Sequence, residues 1–324
     1  MTQQPSEASR MMSSFRVGEA IVTRIPELSW TDADPAQLYP DLDEAALRIH
    51  GGNLSAGSFD RSRGTLAQGT HSWLVRHAGQ IILIDTATGN DKPRPPAPRL
   101  DRLQTPYLQH LAAAGVKPEQ VDLVLITHIH ADHVGWNTFL QDEQWRPTFT
   151  RARHIFSDIE ARYAASNEGL GHAPDLPPAE LGEPDHRPLP QVYTDSMLPV
   201  IEAGLGEAIA INGEEVAEGL SFHPVPGHSI DHAAIRLRSR SEEAWFTADV
   251  MHHPLQVYRP DLRSVYCEFV GPAERSRRWM LEQAAERGCL CFTAHFAESG
   301  AGRVRRSTNG FTWQFAEPRE GLVP

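Results

Sequence analysis

Three histidines and an aspartate lie within residues 127–133, which read Thr-His-Ile-His-Ala-Asp-His. They directly follow residues 121–126, a short apolar run rich in branched side chains that predicts a buried β-strand. The motif therefore lies where a rigid strand ends and a loop begins, so several side chains can converge without distorting regular structure. This pattern constrains the fold most, because it requires a buried sheet behind the motif.

The residue types in this motif are those that bind divalent metal ions. Neutral imidazole and carboxylate suit zinc and similar cations, and no thiolate is required. The spacing is too short for one face of a helix, on which ligands recur at positions i and i+4. His128 and His130 would point to one side of the strand end, and Asp132 and His133 to another. This arrangement favours two adjacent metals over one, and the order of the four side chains argues against a merely solvated loop.

The motif resembles the HxHxDH signature of the metallo-β-lactamase superfamily, and later segments resemble the rest of that pattern in the same order. His228 lies in a Pro-Gly-His segment, Asp249 ends a predicted strand, and His295 follows another. The resemblance extends from about Trp73 to His295. It implies an α/β fold of the four-layer αββα type that this superfamily has.

The resemblance also implies a dinuclear centre with zinc as the metal, two ions per chain, although Mn, Fe and Co suit the same ligands. Two ions about 3.5–4 Å apart would share a bridging hydroxide as the nucleophile, so no protein nucleophile is needed. Asp132 counts among the catalytic residues as well as the ligands. The implied ligands are one set for each metal and a bridging carboxylate: His128, His130 and His228; Asp132, His133 and His295; and Asp249.

His252 is the other residue predicted to act in catalysis. Quorum-quenching lactonases of the superfamily have a tyrosine three residues after the bridging aspartate, and this chain has His252 there. A histidine can replace that tyrosine as a hydrogen-bond donor or general acid near pH 7, or it can simply orient a ligand. Asp85 is a ligand candidate by residue type, but the favoured prediction is that its carboxylate orients the metal loop. Trp136 either lines a pocket or packs in the core.

The function that the resemblance implies is hydrolysis of an ester or lactone bond in a small molecule. The chain is similar to a branch near organophosphate hydrolases, arylesterases and lactonases, so phosphotriesters and activated haloaromatics are further candidate substrates. A glyoxalase II-type thioesterase and a mononuclear-iron persulfide dioxygenase share the motif and are the alternatives. A non-catalytic, metal-stabilised binding module is a minor alternative, because such a module would lack some of the seven ligands.

Composition limits the partners of this chain. A formal net charge of −12 argues against an RNA-processing nuclease, which needs a basic groove, and against binding an anionic membrane. The cysteines are too few for a disulfide framework, and Cys289 and Cys291 are predicted to lie in the core. No stretch is long and apolar enough to span a bilayer, and residues 1–14 lack an apolar signal region. The predicted location is the cytoplasm.

Three segments are predicted along the chain. Residues 1–14 form a disordered tail, and residues 15–64 form an N-terminal extension that packs on the core or on a dimer partner. Residues 65–324 form the metallo-β-lactamase-fold domain. A homodimer is a hypothesis that rests on the extension having no evident core of its own. Residues 91–98 are expected to border the site, and residues 166–190 to be a surface excursion or a lid.

Overall fold

The computed structural model describes residues 12–172 and 181–319. These residues form seventeen β-strands, numbered in chain order: β1 Ser14–Val17, β2 Ala20–Ala33, β3 Phe59–Asp60, β4 Thr65–His77, β5 Gln80–Ile84, β6 Leu123–Leu125, β7 Thr138–Gln141, β8 Gln144–Pro147, β9 Arg153–Ser157, β10 Gly206–Ile209, β11 Glu215–Ala217, β12 Leu220–Pro224, β13 Ala233–Ser239, β14 Glu242–Ala248, β15 Leu290–Thr293, β16 Ala301–Ser307 and β17 Gly310–Phe315.

The same residues form eight α-helices: α1 Pro35–Leu38, α2 Glu44–Gly51, α3 Tyr107–Ala113, α4 Ala131–Val134, α5 Asp158–Asn167, α6 Leu198–Glu202, α7 Leu255–Tyr258 and α8 Val270–Arg287. None of these helices combines the length and the apolar composition that crossing a bilayer requires.

Two large mixed sheets contain fifteen of these strands. The first has the order β1-β2-β4-β5-β6-β9-β10, with β3 also paired to β4. Its strands β5, β6, β9 and β10 are parallel, so β5, β6 and β9 end at the same edge. The second sheet has the order β11 to β17 and is antiparallel except for the parallel pair β14–β15. Strands β12, β14 and β15 therefore run in one direction and also end together.

The apolar core between the two sheets explains why they stack. Alternate residues of a strand point to opposite faces, so Ile82 and Ile84 of β5 pack towards the second sheet while Leu83 packs towards the helices. Phe246 of β14 and Phe292 of β15 stack on each other from the other side, with ring centroids 4.9 Å apart. Each fully buried side chain of this kind contributes about 1.5–3 kcal/mol.

Helices cover both outer faces of the pair of sheets. Leu111 of α3 and Ala164 of α5 pack in the cluster on the first sheet. Met280 and Leu281 of α8 pack in the cluster on the second sheet, where Cys291 is also buried. The layers are therefore helix, sheet, sheet and helix, and the predicted αββα fold is confirmed.

Residues 15–64, predicted to be an extension, supply strands to the first sheet. Strand β2 pairs antiparallel with β4 from Ile21 opposite Arg76 to Ala33 opposite Leu66. Residues from α1 to β3 then pack against the segment that includes α7, in a small apolar cluster of their own. The segment thus packs on the core, while its part in a dimer stays a prediction. Of the predicted tail, residues 1–11 lie outside the described residues. Its last residue, Ser14, begins β1 and pairs with Thr23 of β2.

Candidate metal centre

All seven predicted ligands lie at the edge where these strands end. The motif residues follow β6, and His228, Asp249 and His295 follow β12, β14 and β15. A sharp turn precedes His228: Gly227 has a φ of +127°, and a Cβ on it would lie 2.1 Å from the backbone nitrogen of Ala273. Only glycine fits this turn, because both the backbone angle and the close approach exclude a side chain.

The first predicted ligand set forms a close cluster of imidazoles. Nε2 of His228 lies 3.1 Å from Nε2 of His128 and 2.9 Å from Nδ1 of His130. The other nitrogens of two of these rings have acceptors elsewhere, because His128 Nδ1 lies 3.1 Å from the Thr127 hydroxyl and His130 Nε2 lies 2.7 Å from Glu268. In those tautomers, Nε2 of His128 and Nδ1 of His130 face the cluster with lone pairs that a cation can bind.

The second predicted set lies beside the first. One ligand atom from each of Asp132, His133 and His295 lies within 4.8 Å of the others. His133 Nδ1 lies 2.8 Å from Asp85, and His295 Nδ1 lies 3.0 Å from the carbonyl oxygen of Gly69. These acceptors hold the protons on Nδ1, so that Nε2 of each ring is free to bind a metal.

Asp249 lies between the two sets. Its Oδ2 is 3.3 Å from His228 Nε2 and 2.8 Å from His295 Nε2, and its Oδ1 is 3.2 Å from His133 Nε2. Burial alone would raise the pKa of Asp249, but the neighbouring imidazoles hold that pKa well below its usual value. His133 Nε2 and Asp249 Oδ1 lie 3.2 Å apart without hydrogen-bond geometry, and neither atom has another hydrogen-bond partner among the described residues. This set of donors and unpartnered atoms fits two divalent cations with one shared carboxylate.

Asp85 orients the metal loop, as predicted. Its carboxylate accepts hydrogen bonds from the backbone nitrogen and the hydroxyl of Thr127, each at 2.8 Å, in addition to the contact with His133. Trp136 is buried in the core, where its ring stacks on Tyr107 at 5.5 Å and its Nε1 donates to Glu27 at 2.7 Å. Of the two alternatives for Trp136, the structure shows core packing.

Two buried carboxylates that support the cluster were missed by the sequence reasoning. Glu268 is fully buried and contacts His130. Glu160 accepts from the Ile129 backbone at 3.2 Å and from Ser229 at 2.5 Å, so it joins the motif loop to the His228 loop. Burial, and then Glu268, raise the pKa of Glu160 to about 7. The pattern Ser-x-x-Glu at Ser157 signals only a helix start, and Ser157 does accept from the Glu160 backbone at 3.1 Å.

His252 is buried beside the cluster. Its side chain is inaccessible to solvent, its Nε2 lies 3.4 Å from Oδ2 of Asp249, and its ring stacks on His295 at 5.6 Å. His252 is not among the residues that line the cavity above the cluster. This position supports an orienting contact with Asp249, and the catalytic role of His252 stays a prediction.

A cavity of about 630 Å³ opens above the cluster. Its floor includes His130 and Asp132, whose side chains are 14% and 20% exposed and are the most accessible of the seven predicted ligands. Residues 96–100 form part of its wall, which confirms that the 91–98 segment borders the site. Residues 186–189 line it too, while residues 173–180 of the segment predicted as an excursion or lid lie outside the described residues. Apolar residues of the wall include Trp30, Pro96, Pro98, Leu100, Leu189 and Val265.

Together, the αββα fold and this cluster define a metal-dependent hydrolase. The chain belongs to the metallo-beta-lactamase superfamily, whose sequence profile matches residues 66–295.

Solved structures with a similar fold include two that cover almost the whole chain. AidC, a dizinc quorum-quenching lactonase in complex with a product, has a TM-score of 0.74 and 19% identity, over 95% of this chain and 98% of that chain. The hydrolase AbOPH, from the beta-lactamase superfamily, has a TM-score of 0.73 and 20% identity over the same shares. At these identities, the likeness shows the fold.

A curated relative shares a shorter region. Ribonuclease Z of Mycobacterium avium (strain 104) is 34% identical over 79 residues, which are 24% of this chain and 22% of that protein. The chain therefore matches less than a quarter of the length of this relative.

Proposed function

We propose that the protein hydrolyses the ester bond of a small ester or lactone, using two zinc ions held by the seven predicted ligands. The observation that carries this proposal is the position of Asp249, whose carboxylate lies within 3.3 Å of nitrogens from both ligand sets. A single-metal site needs only one of the two sets. The similarity in fold to a dizinc lactonase supports the same reading.

Bound metal ions would lower the pKa of a shared water and polarise the carbonyl group of the substrate. The chain's own residues position the ligands for this chemistry. Glu268 and Asp85 hold His130 and His133 in the tautomers that direct a lone pair towards the cluster. The partly exposed side chains of His130 and Asp132 mark the side from which a substrate reaches the cluster. The mostly apolar cavity wall favours an ester with an apolar body.

The mononuclear-iron alternative shares the histidine-rich motif and stays a prediction, which the metal content of the protein tests. The complete set of seven ligands argues against a non-catalytic module, which would tolerate loss of a ligand. Phosphotriesters and activated haloaromatics stay predictions, and so does the thioesterase alternative. The cytoplasmic location, the homodimer and the restriction to small-molecule substrates also remain predictions. A cavity of about 630 Å³ supports the restriction to small-molecule substrates.

The experiment that tests the proposal measures metal content and turnover in the same preparation. Elemental mass spectrometry should find about two zinc ions per chain, and a panel of aryl esters, alkyl esters and lactones should be hydrolysed. Removing the metal with a chelator should abolish hydrolysis, and adding zinc should restore it. About one iron per chain would support oxygen chemistry instead. Two metals per chain without turnover of any ester, lactone, thioester or phosphotriester would support the binding module.

A further inference from the structure

Tyr266 lies in the segment between α7 and α8 and lines the same cavity as Asp132 and Asp249. It is 44% exposed, and its ring centroid is 5.3 Å from that of His252. Tyr266 therefore lies on the cavity side and His252 on the buried side. Of these two side chains, only the tyrosine can contact a molecule in the cavity, because His252 is inaccessible to solvent.

The backbone around Tyr266 is tied to the metal loops. Its own amide nitrogen lies 3.3 Å from the hydroxyl of Ser264. Two residues later, the amide of Glu268 donates to the carbonyl oxygen of His228 at 3.0 Å, and the Glu268 carboxylate contacts His130. The segment that carries Tyr266 is thus anchored to the first ligand set by the backbone and the side chain of Glu268, which limits the movement of this segment relative to the cluster.

The chemical character of Tyr266 suits hydrogen-bond donation. A phenol is protonated near neutral pH and is both donor and acceptor. Ester hydrolysis places negative charge on the oxygen that leaves, and a donor aimed at that oxygen stabilises the transition state more than the ground state.

Building on the proposed ester hydrolysis, we propose that Tyr266 is a catalytic residue whose hydroxyl donates a hydrogen bond to the leaving oxygen of the substrate. In the overall reaction, a water oxygen forms a bond to the carbonyl carbon and the ester C–O bond breaks. One proton from that water ends on the leaving oxygen, and the tyrosine hydroxyl is unchanged at the end of the cycle. A purely structural role for Tyr266 as part of the cavity wall would not depend on which leaving group is used.

The test compares Tyr266→Phe with wild type on a series of aryl and alkyl hexanoates that share one acyl group. A 4-nitrophenolate leaving group is a stable anion and needs little stabilisation by a hydrogen bond. An alkoxide is far more basic and needs strong stabilisation of its developing negative charge. The variant should lose about 10- to 100-fold in kcat on the alkyl ester and less than about threefold on the 4-nitrophenyl ester, because only the alkoxide gains strongly from the hydrogen bond. Its rates should therefore fall more steeply with leaving-group pKa than those of wild type.

A matched control is Tyr258→Phe, which removes a hydroxyl that donates to the backbone oxygens of Asn53 and Trp313, away from the cavity lining. This control should keep the wild-type dependence on the leaving group, and metal content should be the same in all three proteins. An equal loss on all esters, or no loss, would overturn the role of Tyr266 while leaving ester hydrolysis in place. A wild-type protein that hydrolyses no ester or lactone would overturn the proposed function and this role together.

Discussion

Glu268 Oε1 lies 2.7 Å from Nε2 of His130, and the glutamate has no exposed side-chain surface. The two residues are far apart in the sequence, yet this contact determines which nitrogen of His130 faces the metal cluster. A carboxylate in this position also increases the basicity of the imidazole that it contacts, and so the affinity for a cation.

Replacing this carboxylate should weaken metal binding without unfolding the protein. We expect Glu268→Gln to lower the affinity for one of the two metals by about 10- to 100-fold, because the amide keeps the shape but loses the charge. Competition with a chromogenic chelator measures this change. The control is Glu274→Gln on α8, which removes a surface carboxylate paired with Arg278 and should leave affinity unchanged. Equal affinities for wild type and Glu268→Gln would refute the expectation.

The carboxylate between the two ligand sets should be required for double occupancy. We expect Asp249→Asn to reduce metal content from about two ions per chain to about one or fewer, because a neutral amide cannot serve both sets. Elemental mass spectrometry after exhaustive dialysis gives the ratio. Asp261→Asn, at a surface carboxylate paired with Arg259, is the matched control. Two tightly held ions in Asp249→Asn would show that this residue does not bridge.

Away from the cluster, His154 should make the fold sensitive to acid. The side chain is fully buried, Nδ1 lies 3.2 Å from the carbonyl oxygen of Ala152, and Nε2 has no partner among the described residues. Burial lowers the pKa of His154 to about 4. The unfolded chain, with an ordinary histidine pKa, therefore binds more protons as the pH falls from about 6.5 towards 4, so stability is lost across that window.

The measurement is urea unfolding of wild type and His154→Gln at several pH values. Between neutral pH and pH 4, the free energy of unfolding should fall less in the variant than in wild type. The difference between the two losses should reach up to about 3 kcal/mol, which corresponds to the full shift in the pKa of His154. Comparing the two proteins cancels the contribution of the predicted metal ligands, which they share. His172→Gln, at an exposed histidine, should follow the wild-type pH dependence. Parallel curves for wild type and His154→Gln would contradict the assignment.

A buried ion cluster holds the loop that forms part of the cavity wall. Asp195 binds Arg94 through both carboxylate oxygens, at 2.6 and 2.8 Å, and Lys92 Nζ lies 3.6 Å from the same carboxylate. Burial lowers the pKa of Lys92 to about 7. Asp195→Asn should reduce the free energy of unfolding by about 3–5 kcal/mol, because it leaves a buried guanidinium without a charged partner.

Chemical denaturation tests this prediction against an exposed pair. Glu207→Gln breaks the surface pair with Arg153 and should change stability by about 1 kcal/mol or less. The Michaelis constant of Asp195→Asn should also rise, since residues 96–100 of the cavity wall follow Arg94 in the same loop. A loss of stability no larger than that of Glu207→Gln would show that the cluster is not energetically important.

Local patterns were sufficient where the physical constraint is local. The apolar runs before the ligands are short and recognisable, so the strand ends and the metal-binding motif could be predicted locally. The fold and the full set of seven ligands followed from the resemblance to the metallo-β-lactamase pattern, whose segments occur in the same order. The role of Asp85 was equally accessible, since it follows β5 directly. These predictions depend on neighbours in the sequence, and tertiary packing did not override them.

The N-terminal strands show where local reasoning failed. Strand β2 lacks a clear period because its first half is buried on both faces and contains Pro26 and Glu27. Its register with β4 shifts between Pro26 and Leu28, where the proline interrupts the pattern. Glu27 is buried because Thr88, Gly89 and Trp136 donate hydrogen bonds to it, and those partners lie more than sixty residues away in the chain.

By itself, the sequence determined the residue types of the cluster, their order and the strand ends that present them, because these depend on short-range patterning and on the chemistry of imidazole and carboxylate. Only the tertiary structure decided that Glu268 and Glu160 support the ligands, that His252 is buried and that Tyr266 lines the cavity. Burial and hydrogen-bond partners come from segments distant in the chain, and their convergence depends on how the two sheets pack.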